Sequence, residues 1–245
     1  MLDLPLVALT LCALAALVAA FVRGLAGFGM AILLVPLLGL VIAPTEAVIV
    51  SNMVGLLIGL VGARKVWDEG ERSAGVIGGL AMLFTPVGLL ALAATPPGIA
   101  RVLIAVVAIG AFVLVLLPPK SGHVPGKAET GLTGAAAGLL TGFAGMPGPP
   151  VVPYYTRRAL SPAVARASMF TVFLLTSIAS TLAAFALNLA SWRDAALAAL
   201  LFGPVLLGNW IGSKAFGRVS APAWRGFVGF VLGMSGLMAV ARLLG

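Results

Sequence analysis

Apolar stretches long enough to cross a lipid bilayer make up most of this chain of 245 residues. A transmembrane helix needs about 20 consecutive, mainly apolar residues. Stretches of about that length lie at 4–22, 46–63, 74–94, 99–117, 163–189, 194–213 and 223–244. Because 61% of the residues are hydrophobic and only 9% are charged, the sequence predicts an all-α polytopic membrane protein.

The basic residues predict the orientation of these spans. The net charge is +8, but the cations are dispersed among short loops, so we expect no nucleic-acid partner. If the loop 64–73 faces the cytoplasm, alternation of the spans puts 118–130, 157–166 and 214–225 on the same side. Eleven of the fifteen Lys and Arg residues lie in these segments: Arg64, Lys65, Arg72, Lys120, Lys127, Arg157, Arg158, Arg166, Lys214, Arg218 and Arg225. The positive-inside rule then puts both termini on the outer side.

Two glycine-rich breaks interrupt the apolar stretches. The first is Gly24-Leu-Ala-Gly-Phe-Gly29 and the second is Gly142-Phe-Ala-Gly-Met-Pro-Gly-Pro-Pro150, with an offset of 118 residues between them. Irregular backbone survives at membrane depth only where protein or a water-filled cavity surrounds it. The two breaks therefore predict one shared site.

The same offset relates residues beyond the glycines. Pro44 matches Pro162 and Ala47 matches Ala165, and Gly24, Ala26 and Gly27 match Gly142, Ala144 and Gly145. This self-similarity predicts a first transmembrane repeat at 1–118, a cytoplasmic linker at 119–130 and a second repeat at 131–245.

Short apolar arms beside the breaks predict that the second repeat is inverted. The arm at 30–43 is too short to cross the membrane comfortably, and the arms at 131–143 and 148–156 are also short. Re-entrant hairpins and broken spanning helices both fit these arms, and either gives an odd number of crossings per repeat. Inverted-topology repeats with paired broken segments are typical of secondary transporters.

An anion is the ligand that such breaks suit. A helix that starts inside the membrane presents unpaired N–H groups and the positive end of its dipole. Arg23 adds a full charge directly before the first break, where it contacts a ligand, pairs with Glu46 or snorkels to headgroups. Neutral donors would complete the lining, drawn from Ser51, Asn52, Ser168, Thr171, Thr176 and Ser177. The predicted substrate-binding residues are Arg23, Gly27, Phe28, Gly29, Asn52, Gly145, Met146, Gly148, Ser168 and Thr176.

Other chemistry has less support in the sequence. Cys12 is the only cysteine, and neither paired carboxylates nor metal-ligand spacing occurs within the spans, so we expect no catalytic residue, metal or cofactor. A membrane-embedded enzyme is thus disfavoured, whereas a passive anion channel stays open. Glu46 is either a candidate for coupling to a proton or a favourable charge at a helix start. Arg166 either points into a cytoplasmic vestibule or anchors its helix, and we favour the anchor.

The two motifs resemble those of the sulfite exporter TauE/SafE-type permeases, also called the toluene-sulfonate uptake permease family. The resemblance rests on Ala20-Phe-Val-Arg-Gly-Leu-Ala-Gly-Phe-Gly29, on Gly142-Phe-Ala-Gly-Met-Pro-Gly-Pro-Pro150, and on Ser161-Pro162 with Arg166-Ala-Ser168. The chain departs from the family's denser glycine run at Phe28 and Met30.

The resemblance implies a permease in the bacterial inner (plasma) membrane. Its substrate would be a small sulfur-containing anion such as sulfite or an organosulfonate, moved by alternating access. Both termini would then be periplasmic. Membrane lipid is the expected surrounding, and the glycine-rich spans would permit a homodimer.

Overall fold

The computed structural model describes residues 4–26, 29–66, 70–116, 122, 124–215, 229–230, 233, 237–238 and 240–241. The helices in these ranges are α1 (Leu6–Ala26), α2 (Met30–Gly39), α3 (Pro44–Val66), α4 (Arg72–Ala93), α5 (Pro97–Leu116), α6 (Lys127–Ala144), α7 (Gly148–Thr156), α8 (Pro162–Ala186) and α9 (Trp192–Ala215). No strand occurs in the described part of the chain, so the all-α prediction is confirmed there.

Six of these helices, α1, α3, α4, α5, α8 and α9, are long and apolar enough to cross a membrane. They confirm six of the apolar stretches predicted from the sequence, and most of the seventh, 223–244, lies outside the described residues. The helices α2 and α7 have 10 and 9 residues. At about 1.5 Å per residue they are too short for the roughly 30 Å hydrocarbon core.

The helix α6 differs from its prediction. The sequence predicts a short arm at 131–143, whereas α6 begins at Lys127 and has 18 residues. The four residues 127–130 continue the helix because Glu129 places a negative charge in its first turn, where the helix dipole favours one. The helix is thus longer than the predicted arm and extends into the predicted linker, but it is not among the six helices that are long and apolar enough to cross a membrane.

Glycines allow two pairs of helices to approach closely. The helix α1 packs along α9, and α4 packs along α6. A Cβ on Gly24 of α1 would lie 2.9 Å from Gly212 Cα of α9, and a Cβ on Gly142 of α6 would lie 2.8 Å from the carbonyl carbon of Gly88 in α4. Backbone cannot yield as a flexible side chain can, so these contacts need glycine.

A polar cluster around Glu71 and Arg158 fixes the end of α7. The Arg158 guanidinium donates to both carboxylate oxygens of Glu71, with 2.6 Å between NH2 and Oε1. Ser73 donates to Glu71 Oε2 at 3.1 Å and shares a hydrogen bond of 3.0 Å with the hydroxyl of Tyr155. The backbone N–H of Glu71 donates to Ser168 Oγ at 2.9 Å. The cluster therefore joins α7 to α4 and α8.

Arg158 stays charged in this cluster. Burial lowers the pKa of Arg158, but the hydrogen bonds and the negative charge of Glu71 outweigh burial and raise that pKa above its ordinary value. Arg158 is thus fully charged at any physiological pH.

We expect Gly142→Ala to destabilise the protein by roughly 1–3 kcal/mol, because the added methyl group would meet the backbone of α4. Gly131→Ala, on the same helix, is the matched control, since a Cβ there has no neighbour within 4 Å. Thermal unfolding of the purified protein in detergent measures both. Equal melting temperatures for the two variants would contradict the packing account.

We expect Glu71→Gln to destabilise the protein by about 1–3 kcal/mol, because it leaves the half-buried Arg158 without a counter-charge. The double variant Glu71→Gln/Arg158→Gln should lose less stability than the sum of the two single variants. Thermal unfolding of all three proteins tests this coupling. If the losses of stability in the two single variants add up to that of the double variant, the ion pair does not stabilise the position of α7.

Candidate functional site

A cavity of about 580 Å³ lies where the two glycine-rich breaks meet. Its volume falls in the range of roughly 300–1,000 Å³ that is usual for small-molecule sites. The lining comprises Arg23, Gly24, Gly29, Met30, Ala31, Ile32, Ser51, Asn52, Gly55, Ile58, Gly59, Ala111, Gly145, Met146, Pro147, Gly148, Pro149, Val152, Ala163, Arg166, Ala167, Met169, Phe170, Phe173, Leu174, Ser177, Asn209 and Ser213. No acidic residue of the described chain is among them, so the charges on this lining are positive.

The first break supplies backbone donors to the cavity. Gly29 precedes α2 with φ of 92°, a left-handed conformation that glycine adopts without strain. Met30, Ala31 and Ile32 form the first turn of α2 and all line the cavity. Their N–H groups have no carbonyl within the helix to bond, and no side chain of the described residues caps them. This turn therefore offers unpaired donors and the positive end of a helix dipole.

The second break is much poorer in donors. The helix α6 ends at Gly145, whose φ is 70° and whose N–H donates to the Thr141 carbonyl at 2.9 Å. The helix α7 then begins at Gly148, flanked by Pro147, Pro149 and Pro150. Proline has no N–H, so three of the donors usual at a helix start are absent here. The sequence argument for an anion at a helix start therefore fits α2 and not α7.

Asn52 holds the second break against α3. Its side-chain N–H donates to the Thr141 carbonyl at 3.3 Å, and its side chain is only 4% exposed. A Cβ on Gly145 would lie 2.9 Å from Val35 Cγ2 and 3.8 Å from Asn52 Nδ2. Gly145 thus packs between α2 and α3, where a larger residue would push the break away from its neighbours.

Arg23 is held by Asn209 from the far end of the sequence. Its NH1 group donates to Asn209 Oδ1 at 2.9 Å, which joins α1 to α9 at the cavity. Within the described residues Arg23 makes no ion pair, so the pairing with Glu46 that the sequence allowed is absent there. A neutral amide orients the guanidinium without compensating its charge. In the part of the chain that the structure describes, Asn209 is the one acceptor of its N–H groups, so the other donors can bind a ligand.

Glu46 does not line the cavity. It lies in the first turn of α3, close enough to Asp194 and Arg193 for their charges to interact with it. This position fits a favourable charge at a helix start. A role in coupling stays a prediction.

Six of the predicted substrate-binding residues line the cavity: Arg23, Gly29, Asn52, Gly145, Met146 and Gly148. Two others, Ser168 and Thr176, are not on its lining. Ser168 accepts from the Glu71 backbone and donates to the Val164 carbonyl at 2.8 Å, while Thr176 donates to the Phe173 carbonyl at 3.0 Å. Their hydroxyls are therefore used within the protein. Gly27 and Phe28 lie outside the described residues.

The structure also brings in residues that the sequence argument undervalued. Asn209 was not among the predicted substrate-binding residues. An Asn and an Arg in separate apolar spans both need polar partners, however, which is a signal that they meet. Arg166 lines the cavity, whereas the sequence favoured a surface anchor. Ser51 and Ser177 were candidates, and both line it.

Comparison with known proteins bears on this cavity and its bundle of helices. The family model of the sulfite exporter TauE/SafE matches residues 12–239, which include every residue on the cavity lining. No curated protein and no solved structure matches the chain. The match spans far more than half of the chain and agrees with the resemblance of the two glycine motifs. The chain therefore belongs to the sulfite exporter TauE/SafE family, a family of membrane transporters.

Proposed function

We propose that this chain is a secondary transporter that moves a small sulfur-containing anion, such as sulfite or an organosulfonate, across the bacterial inner membrane. The observation that carries the proposal is the cavity, which combines the guanidinium of Arg23 with the donor-rich start of α2 and has no acidic residue among its described lining. Family membership supports the transporter class.

Sulfur oxyanions match the donors of this cavity. A sulfite or sulfonate group has three oxygens that accept hydrogen bonds, and a guanidinium offers a planar fork of donors to such a group. The first turn of α2 adds backbone N–H groups and the dipole. Met30, Met146 and Phe170 make other parts of the lining apolar, which would accommodate an organic substituent.

The proposed site also gains support from reciprocal packing. At the offset of 118 residues, α1 corresponds to α6 and α4 corresponds to α9. The helix α1 packs on α9, and its counterpart α6 packs on α4, so each repeat lends its first helix to the other. Two inverted repeats related by a two-fold axis in the membrane plane would produce this exchange.

Alternating access follows from this arrangement as part of the proposal. Two equivalent halves that exchange helices can rock about a shared cavity and open it to either side in turn. In the proposed orientation, which the positive-inside rule supports, the ends of α3 and α7 face the cytoplasm and both termini face the periplasm.

We expect Arg23→Gln to reduce anion flux in proteoliposomes by at least about tenfold, because one charge-assisted contact is lost. Arg23→Lys should keep more flux than Arg23→Gln, since the charge remains while the planar fork is lost. Arg157→Gln is the control, because Arg157 is exposed, basic and outside the cavity lining. Wild-type flux from a folded Arg23→Gln variant would contradict the proposed site.

A passive anion channel is the alternative function, and counterflow separates the two. Proteoliposomes loaded with unlabelled sulfite should take up labelled sulfite faster than empty ones, because a carrier returns faster when loaded. Flux that does not respond to sulfite on the opposite side would favour a channel instead.

A further inference from the structure

Two arginines from different halves of the chain line the same cavity. Arg23 lies near the end of α1, and Arg166 lies in the second turn of α8. Their positive charges are close enough to repel one another. Among the described residues, Arg23 has the neutral Asn209 as its side-chain partner, and Arg166 has no hydrogen bond or ion pair. Within the described residues, the cavity therefore carries two positive charges without a counter-charge.

The two arginines indicate how many negative charges a well-matched ligand would carry. Charges in surroundings of low polarity are costly unless they are paired. A monoanion in this cavity would compensate one guanidinium and leave the other beside it, whereas a ligand with two negative charges would compensate both. Two like charges held together without a counter-charge thus favour a dianion.

A buried serine on the lining of the same cavity points to a ligand independently. Ser51 lines the cavity and is only 2% exposed, yet its Oγ has no hydrogen-bond partner among the described residues. Several other buried hydroxyls of the same bundle, such as that of Thr141, donate to a carbonyl of their own helix. Ser180 and Thr181 also have a buried hydroxyl without a partner in the described part of the chain, but neither lines the cavity. A buried hydroxyl without a hydrogen-bond partner destabilises the folded protein. An anionic oxygen of a ligand would accept a hydrogen bond from this hydroxyl.

We propose that Arg23 and Arg166, with the Ser51 hydroxyl, form a two-cation site that selects doubly charged anions over singly charged ones. This inference rests on the proposed anion transport and adds the charge class of the substrate. Arg166 is its specificity-determining residue, because Arg23 and the start of α2 already bind one anionic group. The second guanidinium binds the second charge, whether both charges lie on one sulfur oxyanion or on two separate groups.

Two probes that differ in charge but share a carbon skeleton test this inference. Ethane-1,2-disulfonate carries two negative charges and ethanesulfonate carries one. We expect the purified wild-type protein in detergent to bind the disulfonate more tightly by at least about tenfold, as measured by isothermal titration calorimetry. Arg166→Gln should remove that preference by weakening binding of the disulfonate, with little change in binding of ethanesulfonate.

Three further variants complete the test. Arg166→Lys should keep a preference for the disulfonate, because it keeps the charge. Arg157→Gln should behave as wild type, since Arg157 is not on the cavity lining. Ser51→Ala should weaken the binding of both probes, but to a smaller extent than Arg23→Gln does. Size-exclusion chromatography and the melting temperature without ligand verify that each variant is folded.

The outcomes separate this inference from the proposed function. Equal binding of the two probes, with loss of both in Arg23→Gln, would overturn the two-cation site and leave anion transport standing. Binding of neither probe, in a protein that also fails to transport sulfite, would overturn both. A preference for the disulfonate that persists in Arg166→Gln would assign the second charge to another group and overturn the role of Arg166.

Discussion

The positive charge of Arg23 inside an apolar bundle is the constraint on which the cavity depends. Water is scarce at membrane depth, so this guanidinium must find acceptors within the protein or in a ligand. Asn209 supplies one acceptor at 2.9 Å and thereby joins α1 to α9. Because an amide carries no charge, the contact orients Arg23 without neutralising it. The structure therefore holds a cation ready at the place where the first helix breaks.

Close packing through glycine holds the helices beside the two breaks in place. Gly24 lies against α9 next to the Arg23 contact, and Gly142 lies against α4 next to the second break. Each break is thus held by a helix from the other half of the chain, while the proline-rich start of α7 adds few donors. Both breaks shape the cavity, and the positive charge of the cavity comes mainly from the first break and from Arg166 of α8.

Much of the fold could be predicted from the sequence, because span length and apolar composition carry the signal for membrane helices. The sequence was less informative where a long-range partner decides the role of a side chain. Ser168 is used by the Glu71 backbone, which is 97 residues away, and Asn209 meets Arg23 across 186 residues. The local sequence pattern around these residues does not reveal partners so far away along the chain. The scarcity of donors at α7, by contrast, was readable from Pro147, Pro149 and Pro150.

The central claim is that the cavity beside Arg23 binds a sulfur oxyanion, and ligand-dependent thermal stability tests it most directly. A ligand that binds the native state raises the melting temperature by mass action. Purified wild-type protein should be stabilised by at least one member of a set containing sulfite, sulfate, thiosulfate and small sulfonates, and Arg23→Gln should lose that stabilisation. A wild-type protein that responds to none of them, or an Arg23→Gln variant that responds equally, would contradict the account.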